Sequence, residues 1–299
     1  MTSVREPAFL AELRVEIEES LDALLPPETA EPARLHAAVR YSVMGGGKRL
    51  RGVLAMEAAA CVGPSDCRPA PLAAALEMIH AYSLVHDDLP CMDDDDMRRG
   101  KPSTHKAFGE AMALLAGDAL LTHAFEVLSR LPELCGAEPD RALQISAAIA
   151  RAAGSRGMIA GQVLDLEGDA DAGDADQLKR IHARKTGDLI RASVRSGAML
   201  AGAGRRELDA LDRFAEQFGL AFQIVDDILD VTGDEAALGK PVGSDARQRK
   251  LTYPGLYGLE RSRKLAQERI DEAIEALGPF GPAGSRLAEL ARFVVDRQF

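Results

Sequence analysis

Apolar residues recur at steps of three and four through almost the whole chain. Leu10, Leu13, Ile17, Leu21 and Leu24 form one such stripe, which Pro26-Pro27 ends. The same pattern predicts a helix over 33–44, closed by Gly45-Gly46-Gly47, and another over 49–62, closed by Gly63-Pro64. Pro71 opens a fourth helix that carries Leu72, Leu76, Ile79 and Leu84. Further helices are predicted near 107–130, 140–166, 175–202, 206–231, 260–277 and 284–297. Ala and Leu dominate these stretches, and none alternates with β-branched residues over a strand length. The segment 233–256 holds Gly233, Gly239, Pro241, Gly243, Pro254 and Gly255 and reads as a loop over one end of the molecule. The expectation is an all-α chain, a single domain over 1–299, with about ten mostly antiparallel helices.

Composition narrows the possible functions. The 36 Lys+Arg against 47 Asp+Glu leave a formal charge of −11, which argues against nucleic acid or an anionic lipid surface as partner. Aromatic residues make up 4% and Trp is absent, so base-stacking platforms are a poor expectation. No run reaches the roughly 18 uninterrupted apolar residues of a membrane span, so stable membrane insertion is not expected. The N-terminal residues lack the apolar core of a signal peptide. The four cysteines (Cys61, Cys67, Cys91, Cys135) form no CxxC pair, and the expected compartment is the cytoplasm.

The acidic charge is concentrated. Six aspartates (87, 88 and 93–96) lie within ten residues, directly after an apolar helix and directly before Arg98, Arg99 and Lys101. A lone run of this kind is usually a solvated loop. Here Pro90 breaks the helix just after Asp88, so Asp93–Asp96 project near Asp87, and acid beside base suits a metal-plus-phosphate site. A second cluster, Asp226-Asp227-Ile228-Leu229-Asp230, sits within an apolar helix, with Asp226 and Asp230 on one face at i and i+4. An acidic face in water would explain that pattern alone, but explains two such clusters poorly. Gly45-Gly46-Gly47-Lys48-Arg49-Leu50-Arg51 sets N–H groups and cations at a helix start, a diphosphate seat without the Walker arrangement. Lys185-Thr186-Gly187 and Gly239-Lys240-Pro241 add further cations.

In order, GGGKRLR at 45–51, EMIHAYSLVHDDLPCMDDDDMRRGKPSTH at 77–105, GMIAGQVLDL at 157–166, KTGDLI at 185–190, FQIVDDILDVTGD at 222–234 and LGKPVGSD at 238–245 resemble the trans-prenyltransferase family, the short-chain isoprenyl diphosphate synthases. The spacing Asp87-Asp88…Asp93 is similar to the form of this motif in bacterial farnesyl diphosphate synthases. The resemblance implies the isoprenoid synthase fold around a central cavity, a homodimer, and a Mg²⁺-dependent head-to-tail condensation of isopentenyl diphosphate with dimethylallyl or geranyl diphosphate. It implies that Asp87, Asp93 and Asp226 ligate three Mg²⁺, with Asp88, Asp227 and Asp230 acting through water or from behind the ligands. It implies that Arg98, Lys185 and Lys240 contact the allylic diphosphate. Lys48, Arg51, His80 and Arg99 then hold isopentenyl diphosphate. Thr186 and Gln223 face the cationic tail, and Gln162 and Asp165 support the pocket. No protein general base is expected.

Tyr82 and Ser83 lie five and four residues before Asp87, about 6–8 Å along a helix, or one to two isoprene units. By the resemblance, an aromatic there is the floor of the chain pocket, which favours the C15 product over C20. A terpene cyclase is disfavoured by the second DDxxD and the Lys48–Arg51 seat, and a non-catalytic subunit by the presence of every expected acid and base. An EF-hand is excluded by the missing Gly and Glu of its loop.

Overall fold

The computed structural model describes residues 6–64, 66–168, 174–232 and 250–296. Helix dominates, as the periodicity predicts. In chain order the elements begin with α1 (Ala8–Leu24), α2 (Ala33–Val43), α3 (Leu50–Val62) and α4 (Ala70–Asp87). A two-residue antiparallel ladder, β1 (Met97–Arg98) with β2 (Lys101–Pro102), follows. Next come α5 (Thr104–Phe108), α6 (Glu110–Ser129), α7 (Leu131–Cys135), α8 (Pro139–Ala153) and α9 (Met158–Leu166). The remainder is α10 (Ala175–His182), a π turn (Ala183–Gly187), α11 (Asp188–Leu200), α12 (Arg205–Thr232), α13 (Tyr253–Tyr257), α14 (Leu259–Ala276), a 3₁₀ segment (Gly278–Gly284) and α15 (Ser285–Asp296).

The differences from the sequence expectation have local causes. The helix expected over 107–130 splits into α5 and α6 because Gly109 adopts φ 91°. The one expected over 140–166 breaks between Ala153 and Met158, where a Cβ on Gly157 would lie 2.0 Å from the Ala152 carbonyl oxygen. The 175–202 helix carries the π turn, and the expected loop at 233–256 includes the short helix α13. Among the described residues side-chain caps fix three starts: Glu138 accepts from the Arg141 N–H (3.0 Å), Asp174 from the Gln177 N–H (2.8 Å) and Thr252 from the Gly255 N–H (3.2 Å).

One apolar cluster runs from Phe9 on α1 to Val295 on α15. Helix α4 lies at its centre, packed on α6, α3 and α1, and α11 packs between α3 and α12. On α12, Phe214 and Phe218 are fully buried and stack at 5.6 Å between ring centroids. Helix α6 is long and apolar enough to cross a membrane by length and composition, which no uninterrupted run in the sequence suggested. Its Ala113, Ala116, Gly117, Leu120, Ala124 and Leu128 are buried, so much of that apolarity serves the core.

Small residues set the helix spacing. Gly197 of α11 faces α3 so closely that an added Cβ would lie 1.9 Å from the Ala55 carbonyl oxygen. Gly197→Ala is expected to lower stability by about 2–3 kcal/mol, because one helix must retreat from the other. Urea unfolding measures this, and an unchanged midpoint would contradict the close contact.

Candidate active site

Helix α4 ends at Asp87 because Pro90 cannot donate to the helix ladder. The chain then folds back on itself. The Asp93 N–H donates to the Asp87 carbonyl (2.9 Å), and the Asp94 N–H to that of Leu89 (3.2 Å). This turn is the physical content of the spacing Asp87…Asp93: it returns the second carboxylate to the level of the first.

Basic and amide groups surround these carboxylates. Gln162 of α9 donates to Asp87 Oδ1. Lys250 Nζ lies 3.2 Å from both oxygens of Asp93 and 3.8 Å from Asp165 Oδ2. Lys185 Nζ donates to Asp165 Oδ2 at 2.7 Å. Burial pushes the Asp87 carboxyl up to about 6; Lys185 opposes the shift and Asp93 adds to it. Burial works against the Lys185 ammonium too, but Asp165 and Asp87 outweigh it and its pKa lies above the ordinary value.

Glycines allow this convergence. A Cβ on Gly161 of α9 would lie 2.1 Å from the Lys185 backbone nitrogen, and one on Gly219 of α12 would sit 3.4 Å from the Gly187 Cα. The Lys185-Thr186-Gly187 motif therefore lies in a π turn wedged between two helices, rather than inside the regular helix expected from its period.

The second cluster divides by burial. Asp226 is exposed, whereas Asp227 and Asp230 are each 3% exposed. The expected partnership of Asp226 and Asp230 on one face is thus unequal in burial. Asp227 belongs to a hydrogen-bond chain: Thr186 Oγ1 donates to Gln223 Oε1 (2.8 Å), and Gln223 Nε2 donates to Asp227 Oδ1 (3.1 Å). The Tyr253 N–H donates to Asp227 Oδ2 (3.0 Å). His182 stacks on Tyr253 at 5.5 Å and comes within 3.8 Å of Asp227. That approach is too long for a hydrogen bond, and burial drives the His182 pKa down to about 3, so the imidazole is neutral.

A second half-site lies along α4 from the first. His80, seven residues before Asp87, sits among Arg51, Arg99, Arg98 and Arg49; burial, then those four cations, push its pKa well below the ordinary value. Arg49, in a left-handed conformation at φ 51°, is 2% exposed and reaches Glu18 (3.4 Å) and Glu77 (4.0 Å). Burial lowers Arg51 to about 10; Glu77 opposes and Arg99 adds to the shift. Arg99 donates to the Gly46 carbonyl, and a Cβ on Gly47 would meet its guanidinium at 2.8 Å. The glycine triplet is therefore the floor on which Arg99 lies. Buried cations that depress one another in this way make a seat for a multiply charged anion.

Some expected residues differ in place. Lys48 is exposed and lines a crevice with Glu6, Leu10 and Phe293. Arg98 forks onto Asp88, which is 2% exposed, and reaches Asp95 (3.1 Å). Asp88 thus positions Arg98 directly. A cleft beside this pair is lined by Tyr41, Ser42, Arg99, Lys101 and Thr104. Tyr82 is 6% exposed, its ring edge-on to His86 at 5.7 Å and its hydroxyl without a hydrogen-bond partner. The Ser83 hydroxyl donates to the His80 carbonyl in its own helix (2.9 Å). Lys240 lies outside the described residues. Lys250, Arg49, His182 and Tyr253 are site residues that motif reading did not single out. Only Arg49, inside the Gly-Lys-Arg motif, carried a local signal.

Comparison with known proteins agrees with this geometry. Residues 32–279 match the family model described as Polyprenyl synthetase. A farnesyl diphosphate synthase of Geobacillus stearothermophilus is 43% identical over 298 residues, 99% of each chain. Geranylgeranyl pyrophosphate synthase 7 of Arabidopsis thaliana is 44% identical over 94% of this chain and 81% of its own. Among solved structures, a geranyltransferase from Helicobacter pylori complexed with magnesium and isoprenyl diphosphate superposes with TM-score 0.82 and 33% identity, over 98% of each chain. Likeness that extends end to end, with both half-sites inside it, defines a trans-isoprenyl diphosphate synthase, a prenyltransferase. The chain belongs to the polyprenyl synthetase family, which is magnesium-dependent.

The His182 geometry carries a pH prediction. The folded imidazole stays neutral down to about 3, while the unfolded one protonates near 6.5. Stability is therefore lost as pH falls below 6.5, at about 1.4 kcal/mol per unit. Between pH 7 and pH 5 the wild type is expected to lose about 2 kcal/mol more than His182→Gln in urea unfolding. Equal losses in the two proteins would refute the neutral buried imidazole.

Proposed function

We propose that this prenyltransferase condenses isopentenyl diphosphate with dimethylallyl and then geranyl diphosphate, releasing diphosphate and ending at the C15 product, farnesyl diphosphate. The observation that carries the two-substrate reading is the pair of half-sites of opposite sign along α4, the arginines around His80 and the carboxylates from Asp87 onward.

The carboxylates suit Mg²⁺. Their donor atoms are hard oxygens, and the raised Asp87 pKa marks a group that lacks full charge compensation. Asp87, Asp93 and Asp226 would hold three Mg²⁺, and the bound ions would supply neutralisation of the negative charge that grows on the departing diphosphate. The chain's own groups do the rest. Lys185, and by resemblance Lys240, bind the allylic diphosphate, and Arg98 is aimed there by Asp88. The Thr186 and Gln223 oxygens lie next to one another and offer their dipoles to the electron-poor allylic carbons. Arg51 and Arg99, with His80 and Lys48, hold isopentenyl diphosphate so that its alkene faces those carbons. The proton lost after bond formation goes to the released diphosphate.

Product length rests on Tyr82. A buried aromatic just over one turn below Asp87 would floor the chain pocket and favour the C15 product. The geranylgeranyl synthase likeness makes C20 the competing outcome. We further assign one domain over 1–299, a cytoplasmic location consistent with four cysteines outside any disulfide, and a homodimer formed through the exposed apolar residues Leu114 and Leu115 of α6.

Incubation with Mg²⁺, isopentenyl diphosphate and each allylic primer, followed by mass analysis, tests the reading: wild type is expected to yield C15 and Tyr82→Ala C20 or longer. A C15 product from both would remove the floor role. Asp87→Asn and Asp226→Asn are each expected to lower kcat by about 10²–10³-fold with unchanged circular dichroism. Arg51→Gln is expected to raise KM for isopentenyl diphosphate about 10–100-fold and to leave that for the allylic primer nearly unchanged. A similar rise for both substrates would refute the division into two seats.

A further inference from the structure

We propose that Asp94, Asp96 and His105 form a separate site for a divalent transition metal of the Zn²⁺ class, which pins the hairpin carrying Arg98 and Arg99. One ligand atom from each of the three residues lies within 4.8 Å of the others. Two carboxylates alone would be an ordinary acidic surface. The decisive group is His105, which is 5% exposed and has a buried Nε2 with no hydrogen-bond partner. Its Nδ1 lies 3.0 Å from the hydroxyl of Ser103, itself 1% exposed. With Nδ1–H donating to that hydroxyl, Nε2 carries the lone pair. This is the arrangement in which a neighbouring oxygen orients a metal-binding imidazole. Lys106 pairs with Asp96 but leaves the buried Nε2 lone pair unmatched, which a cation held among the three side chains would engage.

The donor set selects the ion. One imidazole nitrogen and two carboxylates, completed by water, suit Zn²⁺ and its neighbours, whereas Mg²⁺ prefers oxygen alone. Tetrahedral coordination at about 2.0–2.1 Å needs ligand atoms about 3.4 Å apart, so the groups must close by roughly an ångström. The exposed carboxylates of Asp94 and Asp96 can make that movement. Lys106, now 2.7 Å from Asp96, would be displaced, at little cost for an exposed pair.

Position assigns the role. Asp94 and Asp96 precede β1, and His105 follows β2 in α5. The Ser103 N–H already donates to the Asp96 carbonyl at 2.9 Å, closing the base of the hairpin. A metal across the same base would lock the segment between, which presents Arg98 to Asp88 and Arg99 to the glycine triplet. It would also restrain the turn bearing Asp93. The site is defined without reference to the Asp87, Asp93 and Asp226 positions.

Zn²⁺ titration by calorimetry in the presence of excess Mg²⁺ tests this on the full chain. One equivalent is expected to bind. His105→Gln and Asp94→Asn are each expected to weaken it by about tenfold or more, while Asp87→Asn retains it. Because Asp94 is exposed, its variant keeps the test valid if the His105 change disturbs folding. Zn²⁺ is also expected to shift the His105 ¹⁵Nε2 resonance and to raise the wild-type Tm, but not that of Asp94→Asn. Equal Zn²⁺ affinity in wild type and Asp94→Asn, no binding at 100 µM, or loss of binding only in Asp87→Asn would each overturn the proposal.

Discussion

The constraint on which the molecule turns is repulsion among carboxylates at the end of α4. Asp87 and Asp88 are the last residues of a helix whose preceding turns are almost wholly buried, and the reversal after Pro90 brings Asp93 back beside them. Anions so close cannot share a poorly solvated region without compensation. The fold provides it from three directions: Gln162 from α9, Lys185 from the π turn and Lys250 from the segment before α13. Asp88 takes a fourth, Arg98, from the hairpin. Each neutralising group comes from a different part of the chain, so the site cannot be assembled before the bundle is.

Close backbone approach is what lets those parts meet. Gly161 and Gly219 press α9 and α12 onto the π turn from two sides, and Gly47 leaves room for the Arg99 guanidinium. An interrupted helix costs backbone hydrogen-bond regularity. Here the interruption sets Lys185 toward Asp165 and Thr186 toward Gln223, adjacent residues serving two different chains of contacts.

The two half-sites solve complementary problems. The carboxylate side is anionic and can hold a diphosphate only through added cations, which makes its affinity for substrate conditional on metal. The arginine side is cationic already, with Arg51, Arg99 and His80 all depressed by burial and mutual repulsion, and needs no metal to attract an anion. A protein with net charge −11 thereby offers multiply charged anions two seats of different electrostatic kind. Between the two seats along α4, Tyr82 is buried.

The helical class was legible from the sequence because burial of one helix face imposes a period of three to four, and that period survives in the residues themselves. The aspartate motifs were legible for a similar reason: charge placed against an apolar helix is anomalous locally, without knowledge of neighbours. The glycine breaks at 109 and 154–157 escaped, since a glycine's backbone state depends on what packs around it. So did Lys250, an unremarkable lysine in sequence that matters only because α13 begins beside Asp227. The unequal burial of Asp226 and Asp230 and the reach of Arg98 onto Asp88 likewise depend on which helix covers which face. The chain alone marked the candidate groups for the chemistry, because residue type and local spacing are visible in it. Tertiary structure decided which of them meet, because electrostatic compensation acts through space between residues as far apart as Asp93 and Lys250.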